Sequence, residues 1–294
     1  MSVLVKNEFG QVQQLNLTSE FASLTIEHQC CQAKVSLYGG QVLSWKPKGQ
    51  RDVFWLSDKA TFEQGKAIRG GIPLCWPWFG AHPKDINNNA GNHGFAREQL
   101  WQVSDITVSE EGVEISLVFQ GDNMRAIWPN ACKLMQVLSF GETFTQSLTM
   151  SNLSDEDAYY TGALHSYFRV SAPENISVDG LNDAPFDDKL TGQSYSPTPL
   201  VNGVGPVDRI YHSNKVMQIT DSKWQRTIEV NASNTQQWVF WNPGENVANS
   251  MADIHAGGEQ EFVCLEAANT NMQLLASGKS LTISQVITVT PNAP

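Results

Sequence analysis

Several features are missing from this sequence, and each absence narrows the reading. No run of about 18 apolar residues occurs, so a membrane-spanning helix is not expected. Basic clusters are absent too: 19 Lys and Arg stand against 30 Asp and Glu, a net charge of −11, and no stretch could neutralise a nucleic-acid backbone. A small anion remains admissible, but only where arginines gather in a cleft against the overall field. Charged residues make up just 17% of the chain while hydrophobic ones reach 41%, with 9 Trp, 13 Phe and 6 Tyr, which excludes a disordered protein. The N-terminal MSVLVKNEFGQVQQ alternates polar and apolar residues and lacks the basic start, apolar stretch and cleavage site of a secretory signal.

Cysteine is scarce and unpatterned. Cys30, Cys31, Cys75, Cys132 and Cys264 are odd in number, two are adjacent, and none forms a C-x-x-C pair, so buried reduced thiols are expected. The N-x-S/T sequons at Asn16, Asn152, Asn175 and Asn231 then read as chance matches, and a cytoplasmic location follows as the expectation. No H-E-x-x-H pattern occurs, and no two of His82, His93, His165 and His212 lie at i,i+3 or i,i+4 spacing, so none of them is expected to bind metal.

Strand periodicity is what the chain does have. The odd positions of VEISLVF (113–119) and most odd positions of LTISQVITV (281–289) are apolar, and 143–152 alternates Thr and Ser with Phe144, Leu148 and Met150. Further strands are expected at 33–45, 133–140, 164–170, 238–241 and 262–267, separated by Gly, Pro, Asn and Asp. Helical periodicity is confined to a short turn at 58–65. Many strands without crossover helices predict antiparallel sheets packed face to face, in one domain over residues 1–294. The stretch 173–208 reads as a long loop excursion from the sheets.

Four segments carry candidate chemistry. In IRGGIPLCWPWFG (68–80), glycines, prolines and aromatics leave flat apolar walls beside Arg69; they suit a sugar face, or equally a buried aromatic knot with Arg69 paired to a structural carboxylate. NHGFAR (92–97) places His93 and Arg97 on one loop. In LHSYFRV (164–170) an extended strand sends Leu164, Phe168 and Val170 one way and His165, Tyr167 and Arg169 the other, with His165 able to exchange a proton near neutral pH or simply to be solvated. In EFVCLEAAN (261–269), Glu266 shares a face with Phe262 and Cys264, where a carboxylate without a partner is costly. Trp241-Asn242-Pro243 and the segment around Asp208 add groups that fit a pocket or a strand-end turn.

Together and in this order, these segments resemble the aldose 1-epimerase superfamily, and most of all its glucose-6-phosphate 1-epimerase (hexose-6-phosphate mutarotase) branch. The likeness starts at QVLSWKP (41–47) and spans nearly the whole chain, with RGGIPLCWPWFG followed by NHGFAR as its most specific part. It implies an all-β, galactose-mutarotase-like β-sandwich (supersandwich) of large twisted antiparallel sheets, with an open sugar cleft on one sheet face. By the same resemblance His165 is the general acid and Glu266 the general base, His93 and Asp208 bind the sugar, Arg69 and Arg97 hold the 6-phosphate, and Gln41, Tyr167 and Trp241 line the site.

The implied reaction is anomer exchange of a small-molecule sugar phosphate by acid/base ring opening, without metal or other cofactor, in a monomer. Two other readings share these residues. A non-catalytic carbohydrate-binding or sensing module would use the same sandwich. A glycoside hydrolase or lyase would pair Glu266 with Asp208 or Asp253, provided the carboxyls lie about 5 Å apart.

Overall fold

Alternating burial shapes nearly every element of the chain. The computed structural model describes residues 2–16 and 21–292; Thr18 of the Asn16 sequon lies outside the described residues. In chain order the strands are β1 (Ser2–Lys6), β2 (Gly10–Asn16), β3 (Ala22–His28), β4 (Cys31–Ser36), β5 (Gln41–Pro47), β6 (Leu74–Cys75), β7 (Gln102–Val108), β8 (Val113–Gly121), β9 (Cys132–Phe140), β10 (Phe144–Asn152) and β11 (Ala158–Leu164). They continue with β12 (Tyr167–Arg169), β13 (Ile176–Asp179), β14 (Phe186–Asp188), β15 (Gln193–Tyr195), β16 (Val207–Tyr211), β17 (Met217–Asp221), β18 (Arg226–Ser233), β19 (Gln237–Asn242), β20 (Phe262–Leu275) and β21 (Ser280–Pro291).

Every strand pairing is antiparallel, and the described residues form three sheets. β1 to β5 make a five-stranded meander; a second sheet runs β13-β17-β18-β21-β10-β9-β8-β7; a third runs β15-β14-β16-β19-β20-β11-β6, with β12 also paired to β20. One continuous core joins them: Val113, Ile115 and Leu117 of β8 and Phe144 and Leu148 of β10 pack in the same cluster as Val263, Leu265 and Ala267 of β20 and Trp45 of β5. The all-β sandwich predicted from periodicity is therefore the observed architecture. No helix among the described residues is long and apolar enough to cross a membrane.

A polar seam crosses this core. Gln136, Gln146 and Gln285 point inward from the adjacent strands β9, β10 and β21 and are 0–1% exposed. Gln136 donates to the Gly40 carbonyl at 2.6 Å and accepts from Gln146; Gln285 donates to Gln146 at 2.8 Å and meets the Ser166 hydroxyl at 3.1 Å. Each buried amide thus satisfies the next, as a polar group removed from water must.

Four expectations are corrected. Residues 58–65 form turns instead of a helix, and the one α-helix among the described residues is α1 (Gly244–Ala248). The 33–45 strand is two, because Gly39 and Gly40 turn the chain with φ of +78° and +55°. The 164–170 strand breaks between β11 and β12. The 173–208 excursion is no plain loop: β13, β14 and β15 lie within it, and β14 pairs with β16 in the third sheet. The five cysteines are unpaired; Cys31, Cys75, Cys132 and Cys264 are buried, whereas Cys30 is only partly so.

Candidate active site

The third sheet supplies the site by alternation along its central strands. On β20, Val263, Leu265 and Ala267 enter the main core, so Phe262, Cys264 and Glu266 take the opposite face; Phe262 and Cys264 pack there with Trp55 and Tyr167. Glu266 projects from this apolar floor into a cavity. Across the β11–β12 break the inward side is kept by Leu164 and Phe168, which leaves His165 on the cavity side. Asp208 of β16 and Trp241 of β19 are register partners and enter the same space.

Two loops close the cavity. Gly71, at φ +63°, runs so close to β5 that a Cβ would lie 2.0 Å from the Val42 carbonyl oxygen, and this crossing fixes the preceding Arg69. His93 has φ +68°, and Gly94 after it passes over Trp76, where a Cβ would meet the carbonyl oxygen at 2.0 Å. A non-glycine residue in the left-handed region is uncommon and marks a backbone held for a purpose. The Gly80 N–H donates to His93 Nδ1 at 3.2 Å, which leaves the ring hydrogen on Nε2.

The cavity encloses roughly 210 Å³ and is lined by Arg69, Phe79, Asn92, His93, Arg97, His165, Lys189, Asp208, Val239, Trp241, Met251 and Glu266. That is below the ~300–1,000 Å³ of drug-sized pockets and suits a monosaccharide. At its floor His165 Nδ1 lies 3.4 Å from Glu266 Oε1. Neither His165 Nδ1 nor Glu266 Oε2 receives a hydrogen bond from any described residue, although both atoms are buried. Such orphaned polar atoms call for a role.

Arg69 donates from Nε to Asp253 at 3.0 Å and from Nη1 to the Tyr167 hydroxyl at 2.9 Å, so the structural carboxylate partner exists and the guanidinium still faces the cavity. Arg97 donates from Nη2 to the Asn92 carbonyl at 2.8 Å, while its buried Nε has no partner among the described residues. Lys189 Nζ stands 5.6 Å from the centre of the Phe79 ring. Three cations therefore gather around one small cavity in a chain of net charge −11.

Burial disfavours charge on both members of the central pair. Desolvation, then Arg97 and Arg69, hold the His165 imidazole well below its ordinary value. Desolvation, then Asp208, push the Glu266 carboxyl well above the carboxylate range, against the pull of Lys189 and Arg97. His93 is lowered by burial and by Arg97. Both shifts favour the uncharged form of each member, imidazole for His165 and carboxylic acid for Glu266.

Seven of the nine expected site residues meet at this cavity: Arg69, His93, Arg97, His165, Asp208, Trp241 and Glu266. Two do not line it. Gln41 is fully buried, and its amide nitrogen donates to the Ile68 and Gly70 carbonyls at 3.2 and 2.6 Å, bracing the loop that carries Arg69. Tyr167 lies behind His165, 2% exposed, with its hydroxyl held by Arg69. Sequence reasoning missed Lys189, whose place depends on the pairing of β14 with β16, a long-range match that no local pattern announces.

Comparison with known proteins gives concordant matches. A family profile described as aldose 1-epimerase matches residues 22–288. A protein of Salmonella typhimurium, provisionally named glucose-6-phosphate 1-epimerase, is 32% identical over 273 residues, 90% of this chain and 90% of its own. One of Escherichia coli K12 with the same provisional name is 33% identical over 255 residues, 85% of this chain and 83% of its own. The crystal structure of a Salmonella typhimurium protein provisionally called a mutarotase matches with a TM-score of 0.88 at 30% identity, covering 99% of this chain and 97% of that one. The galactose 1-epimerase of Lactobacillus acidophilus shares the fold, with a TM-score of 0.74 at 13% identity over 97% of this chain and 99% of its own.

Proposed function

The chain belongs to the aldose 1-epimerase family and interconverts sugar anomers; within that activity we propose that its substrates are hexose 6-phosphates, chiefly glucose 6-phosphate. The observation that carries this reading is the gathering of Arg69, Arg97 and Lys189 around the cavity that holds His165 and Glu266. A neutral sugar needs no such field. A phosphate dianion does, and the guanidinium fork of Arg binds it in two directions at once.

Ring opening needs one proton removed and one supplied. Glu266, as carboxylate, takes the proton of the C1 hydroxyl; His165, as imidazolium, gives one to the ring oxygen; the C1–O5 bond breaks and the open aldehyde forms. Rotation about C1–C2 presents the other face, and the two groups return their protons in reverse on closure. Starting from the uncharged forms that burial favours, the ion pair is reached by moving one proton from Glu266 to His165, whose Oε1 and Nδ1 stand 3.4 Å apart.

The substrate alters the field on both groups. Arg97 and Arg69 oppose a positive imidazole and Lys189 and Arg97 favour the Glu266 carboxylate, so a dianion seated on these cations raises the proton affinity of His165 and of Glu266 together. His93 donates from Nε2 and Asp208 accepts, orienting the sugar hydroxyls, while Trp241 offers an apolar wall.

Exchange NMR of the anomers of glucose 6-phosphate and of free glucose, with the wild type and Glu266→Gln, tests the proposal. Wild-type exchange far above buffer, faster for the phosphorylated sugar and lost in the variant, is the expected result. A wild type no faster than buffer would falsify it.

A further inference from the structure

The turn joining β3 to β4 collects three metal-binding donors far along the chain from the sugar cavity. His28 closes β3, Cys30 lies in the turn and Cys31 opens β4. The ligand atoms of the three residues all lie within 4.8 Å of one another. Neighbouring residues of a strand point to opposite faces; these two sulfurs converge only because Cys30 has left the strand.

The imidazole is already set as a ligand. Its Nε2 is 2.9 Å from the Ser109 carbonyl oxygen, which can only accept, so Nε2 carries the ring hydrogen and Nδ1 presents a lone pair. That lone pair now takes the Cys30 thiol at 2.9 Å and the Cys30 backbone N–H at 3.3 Å. A backbone carbonyl anchoring the far nitrogen is the usual outer support of a metal-bound histidine. Cys30 also borders a groove of roughly 530 Å³ walled by Glu110, Glu111, Glu114 and Glu142, an acidic approach for a cation. On its other side the cluster borders a cleft that includes Lys46 and Lys48.

We propose that His28, Cys30 and Cys31 form a binding site for a thiophilic divalent cation of the zinc class, with a fourth coordination position facing the acidic groove. Two thiolates and an imidazole select zinc over magnesium or calcium, which take oxygen ligands. With Zn–S distances of about 2.3 Å and Zn–N of about 2.1 Å, tetrahedral sulfurs stand about 3.8 Å apart and nitrogen and sulfur about 3.6 Å apart, inside the 4.8 Å that already bounds the three ligand atoms, and the His28 Nδ1–Cys30 Sγ pair opens from 2.9 Å to admit the ion. Each thiol surrenders its proton as its sulfur bonds, so one ion taken up releases two protons to solvent and no electron moves. The ion would clip the β3–β4 turn and, through Ser109, the β7–β8 hairpin. None of its ligands touches the sugar cavity, so the site stands or falls independently of the proposed substrate.

The test uses zinc alone and the full chain. After dialysis against zinc, the wild type is expected to retain one ion per chain with two protons released per ion, and cobalt in its place to give a sulfur-to-cobalt charge-transfer band. His28→Gln and Cys30→Ser, both at partly buried positions, are each expected to weaken zinc binding at least about tenfold with anomer exchange unchanged. Zinc retention by the wild type no greater than by the His28→Gln, Cys30→Ser double variant overturns the proposal, as does cobalt bound without the sulfur band.

Discussion

The imidazole of His165 lies flat on the ring of Tyr167, centroids 4.8 Å apart and planes 6° from parallel. The hydroxyl of that same ring accepts a hydrogen bond from Arg69. One side chain therefore fixes both the proposed proton donor and a proposed phosphate ligand. Tyr167→Phe keeps the stack and drops the bond. A hydrogen bond to a charged group is worth about 1.5–3 kcal/mol, so KM for glucose 6-phosphate is expected to rise about tenfold or more while kcat changes little. Steady-state kinetics checks this; a collapse of kcat with unchanged KM would reject the assignment.

Glu266→Gln is expected to lower kcat by about 10²–10⁴-fold and yet to stabilise the fold at neutral and alkaline pH. The folded-state value of this carboxyl is raised by burial and Asp208. Its contribution to stability is fully present below the unfolded-chain value near about 4.3 and is lost as pH rises through the folded value. The amide bears no such cost. Calorimetry from pH 4 to 9 is expected to show the melting temperature of the variant overtaking that of the wild type as pH increases.

Arg97→Ala and Lys189→Ala separate the phosphate from the chemistry. Each is expected to raise KM for glucose 6-phosphate strongly and to leave exchange of unphosphorylated glucose little changed. Equal losses on both sugars would count against the assignment.

The proposed mechanism carries a pH signature. It requires one proton on the His165–Glu266 pair, so kcat/KM is expected to fall at low pH as a second proton binds and at high pH as the last one leaves. The acid limb is expected below the ordinary imidazole value of about 6.5, because burial, Arg97 and Arg69 depress His165. In kcat that limb is expected to lie higher with glucose 6-phosphate than with glucose, since only the former cancels the arginine field.

The buried seam offers a test of stability apart from the site. Gln146→Leu leaves the Gln136 side-chain oxygen without a partner and takes from the Gln285 amide one of its two acceptors, the Ser166 hydroxyl remaining. At about 1–3 kcal/mol for a stranded buried group, a drop in the denaturation midpoint is expected; an unchanged midpoint would show that the seam contributes nothing net.

Much of this was legible in the sequence where local pattern decides. The alternation that buries Val263, Leu265 and Ala267 also aims Glu266 at the cavity, and two-residue periodicity alone predicts it. The Leu164 and Phe168 side of the second segment behaved as expected even though the strand breaks, because Ser166 takes a core position against Gln285. Gln41 entered only through the resemblance, and no local pattern shows that its amide is committed to the Ile68 and Gly70 carbonyls, which tertiary placement brings to it. Lys189 was invisible because a lysine in a polar stretch has no local mark, and its partners come from sheet pairing across the chain.

Lys189 follows β14, close to one border of its sheet, whereas Glu266 rides the inner strand β20. The proposed phosphate lysine and the proposed proton-transfer carboxyl thus ride on separate stretches of polypeptide. Recutting the hairpin beside Lys189 offers a route to vary the sugar substituent that is held while the strand bearing Glu266 is carried over unaltered.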